Sequence, residues 1–296
     1  MPSAASPSRR PPLPPADMRP NRTTPPIFKN AAIELRQCRY GMMLYNANDA
    51  YIGRSLQIYG EYCEDDVRLF RKVVHPGHTV LDIGANIGAH TVFLAKTVGA
   101  AGRVIAIEPL RSNFQMLCAN LVLNGIDHAE PIRAAVGREA GTVRVPRAGL
   151  MNVGNQGAFS LKDPSAEGTA LEPVPMTTID ALSLDACHFA KIDVEGMEHD
   201  VIRGAAATLK RHRPILYLEN NRRNESPALI QSLFELDYCC FWHPTSYFNS
   251  DNYFGNEQNV FRKAVELNMV AVPRIVAHLV DGMRQVASPD DWPARK

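Results

Sequence analysis

From residue 79 onward, short apolar runs alternate with segments whose apolar positions recur at helical spacing. TVLDI (79–83), RVIAIE (103–108), PIRAAV (131–136), FAKIDV (189–194) and ILYLE (215–219) read as strands buried on both faces. Between them, GANIGAHTVFLAKTVG is a turn running into a helix. Phe114, Leu117, Cys118, Leu121 and Val122 follow the i, i+3, i+4, i+7, i+8 pattern, which predicts a helix with that stripe inward, stopped at Asn124-Gly125. Val201, Ile202, Ala205 and Leu209 mark a helix behind the fourth strand, and Lys210, Arg211 and Arg213 suit the negative end of its dipole. Ser226-Pro227 is expected to cap another helix, bearing Leu229, Ile230, Leu233 and Phe234. The alternation predicts an α/β fold: a Rossmann-like, doubly wound, mostly parallel sheet covered by helices on both faces. YCCFW (238–242) and NVFRKA (259–264) are expected to pair as an antiparallel terminal hairpin.

The flanks are less regular. Residues 32–59 read as short strands broken by the turn signals RYG, NAND and IGR, followed by a helix with Val67, Phe70, Val73 and Val74 on one side. Gly, Asn, Ser and Pro interrupt the alternation from 146 to 175, with room for a short hairpin. Ile275, Val276, Leu279, Val280 and Met283 form an amphipathic stripe after Pro273, which predicts a C-terminal helix for core packing or a dimer contact. Nine of the first 26 residues are proline, and Arg9, Arg10, Arg19 and Arg22 face only Asp17; such a segment buries too little to offset its ordering entropy. The expected organisation is a disordered tail (1–26), a domain over 27–265 (strands and helix 27–78, core 79–265), and a C-terminal helix and tail (266–296).

Composition narrows the partners. The net charge of +1 (32 Lys+Arg against 31 Asp+Glu) lacks the basic footprint of a nucleic-acid binder. MVAVPRIVAHLV (269–280) is too short to span a membrane and carries Arg274 and His278. No N-terminal apolar signal segment is visible, so the cytoplasm is expected. The six cysteines show no C-x-x-C spacing and read as buried reduced thiols.

Candidate chemistry gathers at the carboxyl ends of the strands, where open α/β sheets bind ligands. In VLDIGANIGAHT (80–91), Gly84 and Gly88 let the backbone turn tightly and approach a ligand, and the helix that follows favours an anionic group at its start. A dinucleotide site wants G-x-G-x-x-G; here the pattern is D-x-G-x-N-x-G. Asp82 sets a carboxylate before the turn, which suits a cofactor bearing an ammonium group and no phosphate, as S-adenosylmethionine does. Glu108 ends the second strand, where a carboxylate can accept two hydrogen bonds from ribose hydroxyls. The expected cofactor set is Asp82, Gly84, Ala85, Asn86, Gly88, Glu108, Pro109 and Ala135.

KIDVEGMEHD (191–200) is the second informative block. Lys191, Asp193 and Glu195 share strand parity, and three charges on a central strand are costly unless they line a site. Glu219 ends the neighbouring strand, so three carboxylates converge; crowding raises their pKa values and suits a general base for a hydroxyl, with Lys191 pairing to them. Mg²⁺ coordination is the alternative use, not the favoured one, and helix capping is the structural alternative for Glu195 and Glu198. His90, His199 and His243 are assigned no catalysis, His199 being the one to test. MNVGNQGAFSL (151–161) is a candidate cofactor cover or an ordinary hairpin loop. The long connection 243–258 offers Tyr247, Phe248, Tyr253 and Phe254 as an acceptor wall, or as rings packing on their own loop.

VLDIGANIGAHT, IAIEP, the AAVG run Ala134–Gly137, KIDVEGMEHDVIRG and LYLEN, with the upstream YGEYCEDDVRLF (59–70), resemble the FkbM-type methyltransferases in order and spacing over about residues 55–262. The resemblance implies a class I methyltransferase fold, S-adenosylmethionine as donor, and O-methylation of a small-molecule hydroxyl on a sugar or secondary metabolite. A non-catalytic S-adenosylmethionine-binding module and a nicotinamide-dependent oxidoreductase are the competing readings; the missing glycine argues against the second.

Overall fold

A computed structural model describes residues 25–147 and 170–293. The expected tail, all but its last two residues, and the 151–161 segment lie outside the described residues. The first strands, β1 (Phe28–Lys29), β2 (Ile33–Cys38) and β3 (Gly41–Asn46), form a small antiparallel sheet, followed by helices α1 (Ile52–Tyr59) and α2 (Glu64–Val73). Residues 52–59 are therefore helical where short strands were expected. Leu56 and Tyr59 are the apolar side chains that α1 buries, and Gly60 stops it at φ +69°.

The expected alternation then appears as β4 (Thr79–Ile83), α3 (Ala89–Val98), β5 (Arg103–Ile107), α4 (Arg111–Leu123) and β6 (Ala129–Ile132). The third strand ends at Ile132. The rest of PIRAAV, β7 (Ala135–Val136), leaves the main sheet and joins β8 (Gly141–Pro146) and β9 (Leu171–Thr177) in a second small sheet. After it come β10 (Phe189–Ile192), α5 (Glu198–Arg203), α6 (Ala206–His212), β11 (Ile215–Glu219), α7 (Ser226–Glu235), β12 (Tyr238–Ser246), β13 (Val265–Pro273) and β14 (Arg284–Gln285).

The main sheet runs β6-β5-β4-β10-β11-β13-β12-β14. The strands from β6 to β11 are parallel, and β13 runs antiparallel to both β11 and β12. This is the expected doubly wound sheet with an antiparallel terminal hairpin. Strand order reverses between β4 and β10, so a crevice opens above their carboxyl ends. One core layer, with Val92, Leu94 and Leu117, packs one face of the sheet; the other, with Val201, Ile230 and Leu233, packs the opposite face.

Four expectations about individual elements fail for identifiable reasons. The hairpin partner of β12 is Val265–Pro273, while 259–264 forms turns. The expected domain boundary at 265 thus falls at the first residue of a sheet strand. The C-terminal stripe forms a short 3-10 helix, Arg274–Leu279, with Ile275 and Leu279 exposed, and β14 follows it. In α4 the buried face is Ser112, Asn113, Met116, Leu117, Asn120 and Leu121, and Val122 is 78% exposed. The helix is rotated because the N-terminal sheet docks on it through polar groups. Asn120 accepts from the Leu44 amide (2.7 Å) and donates to the Leu44 carbonyl (3.0 Å), and Asn124 Nδ2 donates to the Met42 carbonyl (2.8 Å). Ser226 does not cap α7; its buried hydroxyl accepts from Asn220 Nδ2 (3.0 Å).

Candidate active site

The turn after β4 packs against the end of β10. Gly84 has φ +79°, and a Cβ there would lie 1.7 Å from the Asp193 carbonyl oxygen. Gly88 has φ +83° and opens α3, where a Cβ would meet Leu117 Cδ1 at 2.7 Å. Asn86, between them, is also left-handed (φ +51°), a conformation that asparagine tolerates better than most side chains.

Asp82 is fully buried at the end of β4. Its Oδ2 accepts from Thr91 Oγ1 (2.7 Å), while Oδ1 has no hydrogen-bond partner and lies 3.8 Å from Lys191 Nζ. Burial raises its pKa, and Lys191 and Thr91 oppose the shift. Glu108, 4% exposed, accepts from the Asn86 amide on Oε2 and the Leu110 amide on Oε1, both at 2.9 Å. These bonds tie the first turn to the second, and the remaining lone pairs can still receive ligand hydroxyls. Burial pushes Glu108 up to about 7 against those amides.

On the other side, Lys191 Nζ sits 2.9 Å from Asp193 Oδ2. Burial works against the Lys191 cation, but Asp193 and Asp82 outweigh it and raise its pKa. Glu195 does not reach the site by strand parity, because β10 ends at Ile192. It arrives through a left-handed turn (φ +54°) and lies 3.5 Å from the Arg222 guanidinium. Glu198 holds that turn by accepting from the Val194 and Gly196 amides (3.0 and 3.2 Å). Glu219 is half-buried as a residue, yet its Oε2 is enclosed and unpartnered; Oε1 accepts from Asn221 Nδ2 (2.5 Å). Asp193, Glu195 and Glu219 can bring oxygens within 4.8 Å of one another. Burial, then Asp193, pushes Glu195 up to about 8 and Glu219 well above the carboxylate range.

These groups line a cavity of about 260 Å³ above the switch point. A second, apolar pocket of about 50 Å³ lies between Ile107, Pro109, Leu110, Ala134–Val136, Val194 and Met197. Gly84, Glu108, Asp193 and Glu195 line both. Of the expected cofactor residues, Gly84, Ala85, Asn86, Glu108, Pro109 and Ala135 face one pocket or the other. Asp82 lies beneath the floor, and Gly88 shapes the turn.

Several lining residues were not singled out as site residues from the sequence: Tyr62, Asn113 and Glu266 above all. Tyr62 donates to Glu266 Oε1 (2.8 Å), and burial raises the Glu266 pKa, with Asp193 adding to it. Of the four aromatic residues proposed as a wall, only Tyr247 lines the cavity; Phe248 packs on Tyr59, and Tyr253 packs on Phe254. Their loop is held by buried Glu61, which accepts from Asn249 Nδ2 (2.8 Å) and the Tyr253 amide (2.7 Å). His90 lines the cavity, whereas His199 lines a separate small pocket and His243 meets the Tyr217 hydroxyl (3.0 Å). All six cysteines are free, and five of them are buried. No helix among the described residues is long and apolar enough to cross a membrane.

Among solved structures, the chain is similar to the methyltransferase FkbM of Methylobacillus flagellatus KT at 19% identity and a TM-score of 0.43. That match covers 69% of this chain and 50% of that one, so the chain spans about half the length of that relative. It is also similar to a SAM-dependent O-methyltransferase of Thermotoga maritima (13% identity, TM-score 0.41, 71% of this chain and 64% of that one). A precorrin-6y C5,15-methyltransferase of Geobacter metallireducens GS-15 is similar at 13% identity and a TM-score of 0.41, over 70% of this chain and 85% of that one. No curated protein sequence matches the chain. The family model of the methyltransferase FkbM domain matches residues 82–240, from buried Asp82 in β4 to the first residues of β12. With more than half of its length inside that match, this chain belongs to the methyltransferase FkbM domain family.

Proposed function

We propose that the chain transfers the methyl group of S-adenosylmethionine to a hydroxyl oxygen of a small molecule, a sugar or secondary metabolite. The observation that carries this reading is the junction of a polar, acid-lined cavity and an apolar slot at Gly84, Glu108, Asp193 and Glu195. The chemistry of the residues fits the donor. The unpartnered Asp82 Oδ1 and Asn113 Nδ2 are buried polar atoms beside the Gly84–Gly88 turn and α4, and the glycines leave a cradle that side chains would fill. Asp82 and the turn hold the amino-acid half, Glu108 the ribose, and the slot between Pro109, Ala135 and Met197 the base. When bound, S-adenosylmethionine supplies an electrophilic methyl on a sulfonium.

The protein's own work is alignment and proton removal. Asp193 accepts the proton of the attacking hydroxyl as the oxygen–methyl bond forms and the sulfur–methyl bond breaks. Lys191 fixes its carboxylate, and Glu195 and Glu219 provide a nearby acidic reservoir. Alignment of donor and acceptor contributes a large part of the barrier reduction. A protein-only role for the carboxylates is supported by their partners, since Lys191 holds Asp193 and Arg222 holds Glu195. Calorimetric titration with S-adenosylmethionine and with NADH is the direct test: the first binds and the second does not. Binding of NADH alone would transfer the site to the oxidoreductase reading.

A further inference from the structure

The cavity holds more acidic side chains than donor binding alone occupies. Glu108, Asp193, Glu195, Glu219 and Glu266 line it, against the single lining cation Lys191, which is already paired with Asp193. Arg222 approaches from outside the lining and meets only Glu195. S-adenosylmethionine adds a sulfonium, an ammonium and a carboxylate, a net single positive charge. An excess of acidic side chains therefore remains for the acceptor to meet: a cationic group would favour their ionised forms, whereas an acceptor bearing its own carboxylate or phosphate would gain nothing from them in a desolvated site.

Two groups show what the acceptor must offer. Glu219 presents an enclosed Oε2 with no hydrogen-bond partner among the described residues, while its Oε1 accepts from Asn221 Nδ2. His90, 5% exposed and packed between the rings of Tyr62 and Phe70, also lines the cavity and has no partner on Nε2. Burial, then Lys191, lowers its pKa, so the ring is neutral and offers one donor and one acceptor. A hydroxyl group can pair with the free Nε2 in either tautomer, accepting from it or donating to it. Tyr51, Tyr62 and Tyr247 add aromatic walls, which attract organic cations.

Resting on the O-methyltransferase reading above, we propose that the acceptor carries a protonated amine beside its hydroxyl groups, as an amino sugar does, with Glu219 holding the ammonium and His90 a neighbouring hydroxyl. A divalent metal is the rival occupant. It would have to draw Asp193 from Lys191 and Glu195 from Arg222, whereas an ammonium needs only the free oxygen of Glu219. In the empty cavity burial and the neighbouring carboxylates push Glu195 up to about 8 and raise Glu219 well above the carboxylate range, so both disfavour the ionised form. An ammonium at Glu219 favours its ionised form, so its binding expels a proton to buffer.

The test uses the full chain loaded with S-adenosylhomocysteine and titrated at neutral pH with glucosamine, glucose and glucuronate, in two buffers of different ionisation enthalpy. Glucosamine is expected to bind at least about tenfold more tightly than glucose, the factor that one good charge-assisted contact provides, and to release protons; glucuronate is expected not to bind. Glu219→Gln should bring glucosamine and glucose together while S-adenosylhomocysteine affinity holds. Equal affinities in the wild-type protein, a preference for glucuronate, or no glucosamine binding would overturn the proposal, whatever the variant does. Proton release on adding Mg²⁺ but not glucosamine would assign the carboxylates to a metal instead. Failure of the first loading step, with no S-adenosylhomocysteine bound, marks failure of the methyltransferase reading itself.

Discussion

Gly84→Ala isolates the contact on which the site depends. The residue has φ +79°, and a side chain held in the left-handed region costs about 1–2 kcal/mol. The added Cβ would also sit 1.7 Å from the Asp193 carbonyl oxygen, a backbone atom that cannot swing aside. Reaching ordinary van der Waals separation requires the ends of β4 and β10 to part by roughly 2 Å. That movement strains the bond from the Asp193 amide to the Ile83 carbonyl (3.0 Å) and the bond from the Gly84 amide to the Ile107 carbonyl (2.9 Å), each worth about 1 kcal/mol. The total is about 3–4 kcal/mol. Gly77→Ala is the control: its φ is +84°, nothing lies within 4 Å of the added Cβ, and it precedes β4 at the opposite end of the sheet. It should cost only the conformational part, about 1–2 kcal/mol. Urea unfolding of both variants reads the stability difference, and calorimetry reads S-adenosylmethionine affinity, which Gly84→Ala should weaken strongly and Gly77→Ala should leave alone. A Gly84→Ala protein as stable as the Gly77→Ala protein, with wild-type donor affinity, would refute the packing of the turn against β10 as the basis of the site.

Three further outcomes are expected. Glu108→Ala should weaken S-adenosylmethionine binding by about 1.5–3 kcal/mol, the range for bonds to a charged group; unchanged calorimetric affinity in a folded variant removes Glu108 from the site. Glu108 and Glu198, raised to about 7, and Glu195, raised to about 8, prefer their protons in the folded state. Their contribution is complete below about pH 4.5 and is lost as pH rises through 7 and 8, so the urea midpoint of the ligand-free protein should fall across that window, and less steeply in Glu195→Gln. EDTA should leave methyl transfer intact, and loss of activity restored by Mg²⁺ would move Asp193, Glu195 and Glu219 into a coordination role.

The part of the cavity we assign to the donor was legible because it is local. Asp82, Gly84 and Gly88 lie within seven residues, and Glu108 ends the next strand, so strand-end chemistry and turn glycines reveal them in the linear text. The acceptor half is assembled from distant segments. Tyr62 precedes α2 and Glu266 is the second residue of β13, and no spacing relates them; their hydrogen bond joins segments 204 residues apart. Glu266 was hidden by a second cause. The run MVAVP was read together with RIVAHLV as one apolar stretch, when Pro273 ends the strand and the remainder turns into a short 3-10 helix whose Val276 and Ala277 are partly buried against the core. A useful signal was present, since Glu266, Asn268 and Val270 alternate with apolar residues as strand positions do. The rotation of α4 was invisible for a related reason: periodicity favoured Val122 over Asn120, but the docking surface is the backbone of β3, which selects amides. Tyr247 was found among four aromatic candidates because a long connection draws attention, but which ring reaches the cavity depends on bonds into the loop from distant residues, those of Glu61 and Arg68 among them.

The central claim is that Asp193 removes the acceptor proton during transfer from S-adenosylmethionine, and Asp193→Asn tests it most directly. The substitution keeps shape and volume while deleting the charge that pairs with Lys191 and receives the proton. With an acceptor identified by mass spectrometry of extracts incubated with methyl-labelled S-adenosylmethionine, single-turnover rate and donor affinity are measured on the same variant. The rate is expected to fall by about 10²–10⁴-fold, the worth of general acid–base catalysis, with donor affinity little changed because Asp82, the glycine turn and Glu108 carry it. A rate within a few-fold of wild type would contradict the account.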